Sequence, residues 1–335
     1  MMKRLSVGID IAMEKFDVCL KREDFLGHYA IKGSRIFPNT QEGFKELIFW
    51  TNKWIKPGDE VSFVMEATGV YYENLAYYLH DEGFVVYVEL ANKVKNYFKS
   101  LNIKTKTDKM DASILANMGF ERRLKKWVPM SHYYRDLRDI TRLIASYQKD
   151  LNRAKSQLHA MNYAHNKNLL VLKMQQEHVS HCEELIEKLK EERRLLAGKD
   201  RELYDKIEKI TTIKGVGFDT AVSIVCETNG FILFNNVRQV VSYAGLDVSH
   251  NQSGNHIGKS HISKKGNSHI RAVLYMPALS AIRYNAPIKA LHERIKERNP
   301  NAKQKGVVAG MRKLLILIYT LWKKNEIYDK NYSWG

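Results

Sequence analysis

Four acidic residues have types and positions that suit them to metal-assisted chemistry. Asp10 lies inside the apolar run of residues 5–11, and Glu66 ends a second apolar run. A carboxylate buried without a partner loses hydration free energy on the order of several kcal/mol, and a divalent cation is one partner that compensates for the loss. Asp108 and Asp111 are three residues apart, so a helix that begins there places both on one face.

This set predicts a two-metal site for cutting phosphodiester bonds. Carboxylates from two neighbouring strand ends and one helix can hold two Mg²⁺ ions about 4 Å apart, one activating a nucleophile and the other stabilising the leaving oxygen. Mn²⁺ is the alternative ion. Each residue also has an ordinary explanation: Asp108 as a helix cap, Asp10 as a hydrogen-bond acceptor in a turn, Glu66 as the partner of a lysine. Their joint order in a basic chain favours the metal site.

The elements that must position these carboxylates alternate between strand and helix signals over the first ninety residues. Apolar, β-branched runs predict strands, and capped periodic runs predict helices. The predicted strands are residues 5–11, 16–20, 29–37, 61–66 and 84–90, and the predicted helices are residues 43–54 and 72–80. Strands first and helix–strand alternation afterwards predict an α/β domain with a mixed sheet.

The middle of the chain predicts a long helical connector. Its apolar residues fall at alternating spacings of three and four with no Pro or Gly between them, which is a heptad pattern. They are Leu137, Ile140, Ile144, Tyr147, Leu151, Ala154, Leu158 and Met161. Leu185, Leu189 and Leu196 indicate a second arm. The arms either fold back on each other or pair between subunits, and a dimerising role is slightly favoured.

The C-terminal part has the outline of a helix-hairpin-helix at residues 213–224. In such a turn Gly215 and Gly217 direct backbone N–H groups toward a DNA phosphate, while a plain helix–turn–helix junction is the alternative. Residues 249–267 combine Gly, Ser, His and Lys and predict a flexible basic loop, followed by further helices.

The formal net charge of +17 indicates a polyanionic partner. A membrane surface is the competing polyanion, but no run approaches the roughly 18 apolar residues of a membrane span, and the N-terminus has no signal-peptide hydrophobic region. We therefore expect a nucleic acid. The lysines of residues 92–109 predict either phosphate contacts or a solvated helix face; they are Lys93, Lys95, Lys99, Lys104, Lys106 and Lys109. Cys19, Cys182 and Cys226 have neither disulfide nor zinc spacing, which fits a reducing compartment.

Three motifs resemble the RuvC-like domain of insertion-sequence 110 family transposases. They are GIDIAMEKFDV at residues 8–18, MEATGVY at residues 65–71 and KTDKMDA at residues 106–112. The C-terminal half adds IKGVG at residues 213–217, Ser253-Gly254, Gly258, ISKKGN at residues 262–267 and Ile270-Arg271, in the order of the family's transposase domain. The similarity covers nearly the whole chain.

The resemblance implies a ribonuclease-H-like fold with an Asp-Glu-Asp-Asp metal set on Asp10, Glu66, Asp108 and Asp111. It also implies that Ser253 attacks DNA and forms a covalent phosphoserine link, with Ser260 and Ser263 as rival nucleophiles. The basic residues expected to stabilise charge on the phosphate are Lys259, Lys264, Lys265 and Arg271. Family members move element DNA into target sites, some directed by a structured guide RNA. They are expected to act as homodimers or homotetramers in the bacterial or archaeal cytoplasm.

The sequence thus predicts three parts: a RuvC-like α/β catalytic domain at residues 1–130, a helical coiled-coil connector at 131–203 and a mainly α transposase domain at 204–335. The implied activity is that of a DNA recombinase. One alternative is a metal-dependent, structure-specific nuclease of the Holliday-junction resolvase kind, which needs no second catalytic domain. The other is a non-enzymatic nucleic-acid-binding scaffold, which leaves Asp10 inside a strand unexplained.

Overall fold

The computed structural model describes residues 3–24, 26–102, 107–249, 252–253, 256–257 and 261–329, with only the backbone at 252, 253, 256 and 257. The chain divides into two compact units, Met1–Pro129 and Met130–Gly335. The first boundary lies next to the predicted one at residue 130. The second unit contains both the predicted connector and the predicted C-terminal domain, so their separation at residue 203 stays a prediction.

The first unit is built on a five-stranded mixed sheet. Its elements in chain order are β1 (Arg4–Ile11), β2 (Lys15–Glu23), β3 (Tyr29–Pro38), α1 (Gln41–Asn52), β4 (Glu60–Glu66), α2 (Glu73–Asp81), β5 (Val85–Glu89), α3 (Ala91–Ser100) and α4 (Asp108–Glu121). The strand order is β3-β2-β1-β4-β5. The pairs β1–β2 and β2–β3 are antiparallel, whereas β1–β4 and β4–β5 are parallel. This confirms the predicted α/β class and agrees with the ribonuclease-H-like topology.

Each face of this sheet has its own apolar core. On one face Leu5, Val7 and Ile9 of β1 pack with side chains of α1 and α2, among them Phe44 and Leu75. The other face is covered by α3 and α4, whose buried side chains pack with Val64 of β4. Because successive strand residues point to opposite faces, the residues of β1 between these apolar positions lie beneath α4.

The second unit is mainly helical, as the sequence predicts. Its helices are α5 (His132–Tyr163), α6 (Leu169–Gly198), α7 (Arg201–Thr211), α8 (Phe218–Glu227), α9 (Val237–Tyr243), α10 (Ser268–Tyr284), α11 (Ala286–Arg298) and α12 (Gln304–Lys324). Four short strands lie between α9 and α10: β6 (Val248–Ser249), β7 (Gln252–Ser253), β8 (His256–Ile257) and β9 (His261–Ile262). None of the helices in the described part of the chain combines the length and apolar composition of a membrane span.

The heptad residues of α5 pack against α6 of the same chain. Ile144 and Leu151 form a small buried cluster with Cys182 and Ile186, flanked by further apolar side chains of both helices. The structure thus contains the intramolecular hairpin that the sequence left as an alternative. A dimerising role for the connector stays a prediction.

Candidate active site

Strand β1 presents three small or polar residues to α4. Ser6, Gly8 and Asp10 alternate with the buried apolar residues of the opposite face. A side-chain carbon at Gly8 would lie 2.0 Å from the backbone oxygen of Ala112 in α4, so only glycine allows this contact. Helix α4 therefore lies directly on the strand, two residues before Asp10.

The beginning of α4 carries the two aspartates of the third motif. Thr107 caps the helix by accepting a hydrogen bond from the Met110 backbone N–H at 3.3 Å. The contact at Gly8 brings this first turn close to Asp10. Asp111 is buried there, whereas 66% of the Asp108 side chain is exposed. The Asp108 helix-cap alternative is therefore wrong, because Thr107 is the cap.

Glu66 reaches the same region from the neighbouring strand. The strands β1 and β4 are parallel, and Ile9 lies opposite Met65 in their register. Asp10 and Glu66 are the next residues of the two strands, so both carboxylates lie at the carboxyl edge of the sheet. The prediction that two neighbouring strands deliver them is confirmed.

The electrostatics of Asp10 report that these groups are close together. Burial raises the pKa of Asp10 from 3.8 to about 6, and nearby negative charges contribute to the same shift. In decreasing order of effect, these charges are on Asp111, Asp108, Glu66 and Asp17. The fold thus brings the four predicted carboxylates into one electrostatically coupled group, which we call the acidic cluster.

Three residues beside this cluster are absent from the sequence-based set. Asp17 of β2 is buried and lies directly opposite Asp10 in the antiparallel register. Lys15 lies 3.5 Å from the Asp17 carboxylate and 3.8 Å from that of Asp108. Glu89 is buried at the end of β5 opposite Glu66. Asp17 and Glu89 carry the signal that identified Asp10 and Glu66, an acid within or ending an apolar strand.

The acidic cluster fits a hard divalent cation by donor type, since carboxylate oxygens are the ligands that Mg²⁺ prefers. In the described ranges, no group of three or more His, Cys, Asp and Glu side chains has the geometry to hold a metal ion. Like charges repel, and a bound cation would offset this repulsion and let the carboxylates turn toward one another. The backbone placement and the ligand chemistry fit, while the ligand geometry itself is not formed.

The predicted phosphate-binding lysines lie mainly on α3, which the sequence did not identify as a separate helix. Lys95 and Lys99 are exposed on α3, and Lys109 is exposed on α4. Lys93 is paired with Glu89 at 2.9 Å. Lys104 and Lys106 lie outside the described residues. The described lysines therefore form an exposed basic ridge, which leaves both phosphate contacts and a solvated face open.

The glycine turn of the second unit joins α7 to α8. Gly215 has a φ of +102°, and a side-chain carbon there would lie 2.8 Å from the backbone nitrogen of Ala281 in α10. Gly217 caps α8 with open space beside it. In the first turn of α8, Asp219 pairs with the buried Arg193 of α6. The turn is thus fixed by packing at Gly215 and open at Gly217.

The segment around Ser253 contains two short antiparallel ribbons instead of an entirely irregular loop. One pairs β6 with β9, and the other pairs β7, which contains Ser253, with β8. We call residues 247–266 the serine loop. The Ser253 side chain lies outside the described part of the structure, as do Lys259 and Ser260.

Ser263 and Asp247 join the two ends of the serine loop. The Ser263 hydroxyl donates a hydrogen bond to the Asp247 carboxylate at 2.6 Å, and its backbone N–H donates to the Asp247 backbone oxygen at 2.9 Å. Lys264, with a φ of +53°, and the exposed Lys265 follow. This rival serine therefore has a structural role at the base of the loop.

Arg271 has structural contacts besides the phosphate contact expected of it, which stays a prediction. Its Nη1 donates to the backbone oxygen of Ala244 at 2.9 Å and to those of Gly266 and Asn267 at 3.3 Å. These carbonyl groups lie on both sides of the serine loop. Arg271 thus holds the two ends of the loop together.

Comparison with known sequences places both units in one group of proteins. A transposase sequence profile with an Asp-Glu-Asp-Asp designation matches residues 7–161, and the profile described as "Transposase IS116/IS110/IS902 family" matches residues 207–293. Pilin gene-inverting proteins of Moraxella bovis and Moraxella lacunata are each 28% identical over 330 residues, covering 98% of this chain and 99% of theirs.

Solved structures give only weak likenesses. RuvC of Thermus thermophilus is 12% identical with a TM-score of 0.29, covering 37% of this chain and 99% of its own. An Aquifex aeolicus PPX-GPPA enzyme is 16% identical with a TM-score of 0.19, covering 27% of this chain and 36% of its own. Scores this low do not by themselves establish a shared fold.

Proposed function

The chain belongs to the insertion-sequence 110 family of transposases and is an enzyme that acts on DNA, and from this premise we propose how its residues cut and join DNA strands. The acidic cluster binds two Mg²⁺ ions, or Mn²⁺ in their place, and Ser253 is the nucleophile. The observation that carries the proposal is the convergence of Asp10, Glu66 and the first turn of α4 at one edge of the sheet.

Within this proposal, the carboxylates hold the ions against a DNA phosphate. When bound, the ions supply Lewis-acid stabilisation of the charge that develops on the phosphate oxygens. Asp111, which is buried, and Glu66, which is partly buried, lie on a helix and a strand, so they orient the ligand set, and exposed Asp108 can move toward an ion with little rearrangement. Asp10 must be ionised to serve as a ligand, and a cation nearby lowers its raised pKa.

The serine step accounts for joining as well as cutting. The Ser253 oxygen forms a bond to phosphorus, and its proton passes to a base. One bridging P–O bond breaks, and the DNA oxygen that leaves takes up a proton and is released as a hydroxyl. The phosphodiester energy is retained in the serine–DNA bond. Attack by the hydroxyl of another DNA end reverses the sequence and frees the serine, so no external energy source is required.

The partners follow from the charge and from the family. We propose that the chain binds donor and target DNA through the lysines of residues 92–109 and the Gly215–Gly217 turn. At the serine loop, phosphate is contacted by Lys259, Lys264, Lys265 and Arg271. Direction by a structured guide RNA, assembly as a homodimer or homotetramer, and a cytoplasmic location are part of the same proposal. The two Moraxella proteins are named for inverting a pilin gene, an operation that also needs cutting and rejoining.

The experiment traps the protein–DNA bond. The chain is expressed with the DNA that flanks its gene, copurifying RNA is sequenced, and reactions with Mg²⁺ are stopped in denaturant. We expect an adduct whose modified peptide contains Ser253 and which is absent in Ser253→Ala, while Ser260→Ala and Ser263→Ala retain it. Cleavage without an adduct would instead identify a hydrolytic nuclease, and binding without cleavage a scaffold.

A further inference from the structure

Glu227, at the end of α8, is a buried carboxylate that the proposed chemistry does not use. Its side chain is only 2% exposed. Arg142 of α5 donates two hydrogen bonds to it, from Nε at 2.7 Å and from Nη2 at 2.9 Å. Asn267 donates a third from Nδ2 at 2.7 Å. A bidentate guanidinium and a side-chain amide together fix the position and orientation of the Glu227 carboxylate. We call these three side chains the Glu227 junction.

This junction is stable in the ionised form. Burial by itself raises the pKa of Glu227, but the hydrogen bonds from Arg142 and Asn267 outweigh it and keep the pKa below its ordinary value. Loss of either donor would leave a buried negative charge incompletely paired, which is strongly unfavourable. The three side chains therefore act as one unit.

Asn267 is also where the serine loop ends and α10 begins. Its Oδ1 accepts hydrogen bonds from the backbone N–H groups of His269 at 2.9 Å and Ile270 at 3.2 Å, so it caps α10. Its own backbone N–H donates to the backbone oxygen of Tyr243 at 2.7 Å. One residue thus connects Glu227, the start of α10 and the end of α9.

Gly266, immediately before Asn267, is packed so closely that this end of the loop has little room to move. A side-chain carbon at Gly266 would lie 2.3 Å from the backbone oxygen of Tyr243. The Tyr243 hydroxyl in turn donates to the Glu227 backbone oxygen at 3.1 Å. A displacement of Glu227 would therefore be transmitted to the backbone at the base of the serine loop.

We propose that Arg142, Glu227 and Asn267 are positioning residues that couple helix α5 of the hairpin to the base of the serine loop. The base of the loop keeps its position only while α5 is docked through Arg142. The coupling rests on the proposed function of Ser253 for its catalytic consequence, but its effect on the loop backbone is independent of that function.

The sharpest test is the near-isosteric change Asn267→Asp. A carboxylate still accepts from His269 and Ile270 and caps α10, but it no longer donates to Glu227 and places two negative charges together. We expect the rate of covalent adduct formation to fall by between about tenfold and 100-fold, because small displacements of a reacting group have effects of this size. DNA affinity should be unchanged, and amide hydrogen exchange should increase at residues 245–247 and 263–267.

A reciprocal variant separates this coupling from general destabilisation. In Asn267→Asp combined with Glu227→Gln, the new amide nitrogen can donate to the new carboxylate while the amide oxygen still accepts from Nε of Arg142, although the Nη2 contact is lost. We expect the double variant to recover part of the lost rate and part of the slow exchange. A double variant as impaired as Asn267→Asp alone, with both folded by circular dichroism, would overturn the proposal.

Arg142 provides the second arm. Arg142→Lys retains the charge but not the bidentate contact, and it should show faster exchange at the loop base and slower adduct formation. Arg153→Lys is the matched control, since Arg153 lies on the same helix and pairs with Asp150 at the surface. Wild-type exchange in Arg142→Lys would contradict the coupling. An absent adduct in the wild type would instead contradict the proposed function, while the exchange measurements would still test the coupling.

Discussion

The acidic cluster and the serine loop are held in place by different parts of the chain. In the cluster, backbone contacts set the positions: the parallel register of β1 and β4, and the approach of α4 at Gly8. In the serine loop, the side chains of Ser263 and Arg271 add to a ribbon of only two residue pairs in holding the ends together. A single side-chain change should therefore remove chemistry from the cluster without moving it, whereas in the loop it should move the backbone.

The largest expected effect is on cleavage by Asp10→Asn. The change removes one ligand charge and leaves the strand register intact, so cleavage should fall by about 100-fold or more at saturating Mg²⁺ while DNA binding persists. Cleavage assays and binding isotherms measure the two effects. Asp81→Asn, at an exposed aspartate of the same unit, is the control and should be active. Wild-type cleavage by Asp10→Asn would remove Asp10 from the metal site.

Gly8→Ala tests whether the backbone contact between β1 and α4 sets the position of the acidic cluster. The added carbon collides with the Ala112 oxygen, so α4 must shift, at a cost of about 1–3 kcal/mol in the free energy of unfolding, and cleavage should fall as well. Urea denaturation gives the free energy. Gly198→Ala is the matched control, because nothing lies within 4 Å of its added carbon. Equal stability of the two variants would show that α4 does not need this contact.

Substitutions among the lysines of residues 92–109 should have a smaller effect, which is on the salt dependence of DNA affinity. If Lys99, Lys104 and Lys106 each neutralise a phosphate, replacing all three by Ala should reduce the slope of log affinity against log salt by about 0.9 for each contact. Lys93→Ala should change it less, because Lys93 is already paired with Glu89. Binding titrations at several salt concentrations measure the slopes. An unchanged slope in the triple variant would show that these three lysines do not neutralise DNA phosphates.

The smallest effect concerns stability and pH without divalent ions. Because the folded protein raises the pKa of Asp10 from 3.8 to about 6, it binds a proton that the unfolded chain releases, and stability is lost as pH rises through this interval. At pH 7, Asp10→Asn should then be more stable by about 1 kcal/mol, after allowance for solvent screening of a partly exposed group. Thermal melts should show the gain at pH 7 and its disappearance below about pH 4; the same difference at both pH values would contradict the cause.

Some residues of the candidate site can be recognised in the sequence, whereas the roles of others depend on partners that only the fold brings near. Asp10 and Glu66 could be found because an acid in an apolar strand is visible in one dimension, and strand pairing then brings them together. Asp17 carries the same signal between Phe16 and Val18, but only the register with β1 shows that it lies opposite Asp10. The structural role of Arg271 could not be read from the sequence, since its partner Ala244 lies 27 residues away along the chain.

What the sequence by itself determined is the order and type of most elements: the strands of a mixed sheet, the helix start that carries Asp108 and Asp111, the heptad pattern of α5, and a charge that indicates a polyanion. These depend on local periodicity, on capping and on composition, which can be read directly from one amino-acid sequence. Only the tertiary structure decided that α5 pairs with α6 of the same chain, and that Asp17 faces Asp10. It also decided that Glu227 joins Arg142 to Asn267, because these contacts link residues whose separation along the chain contains no signal of their proximity.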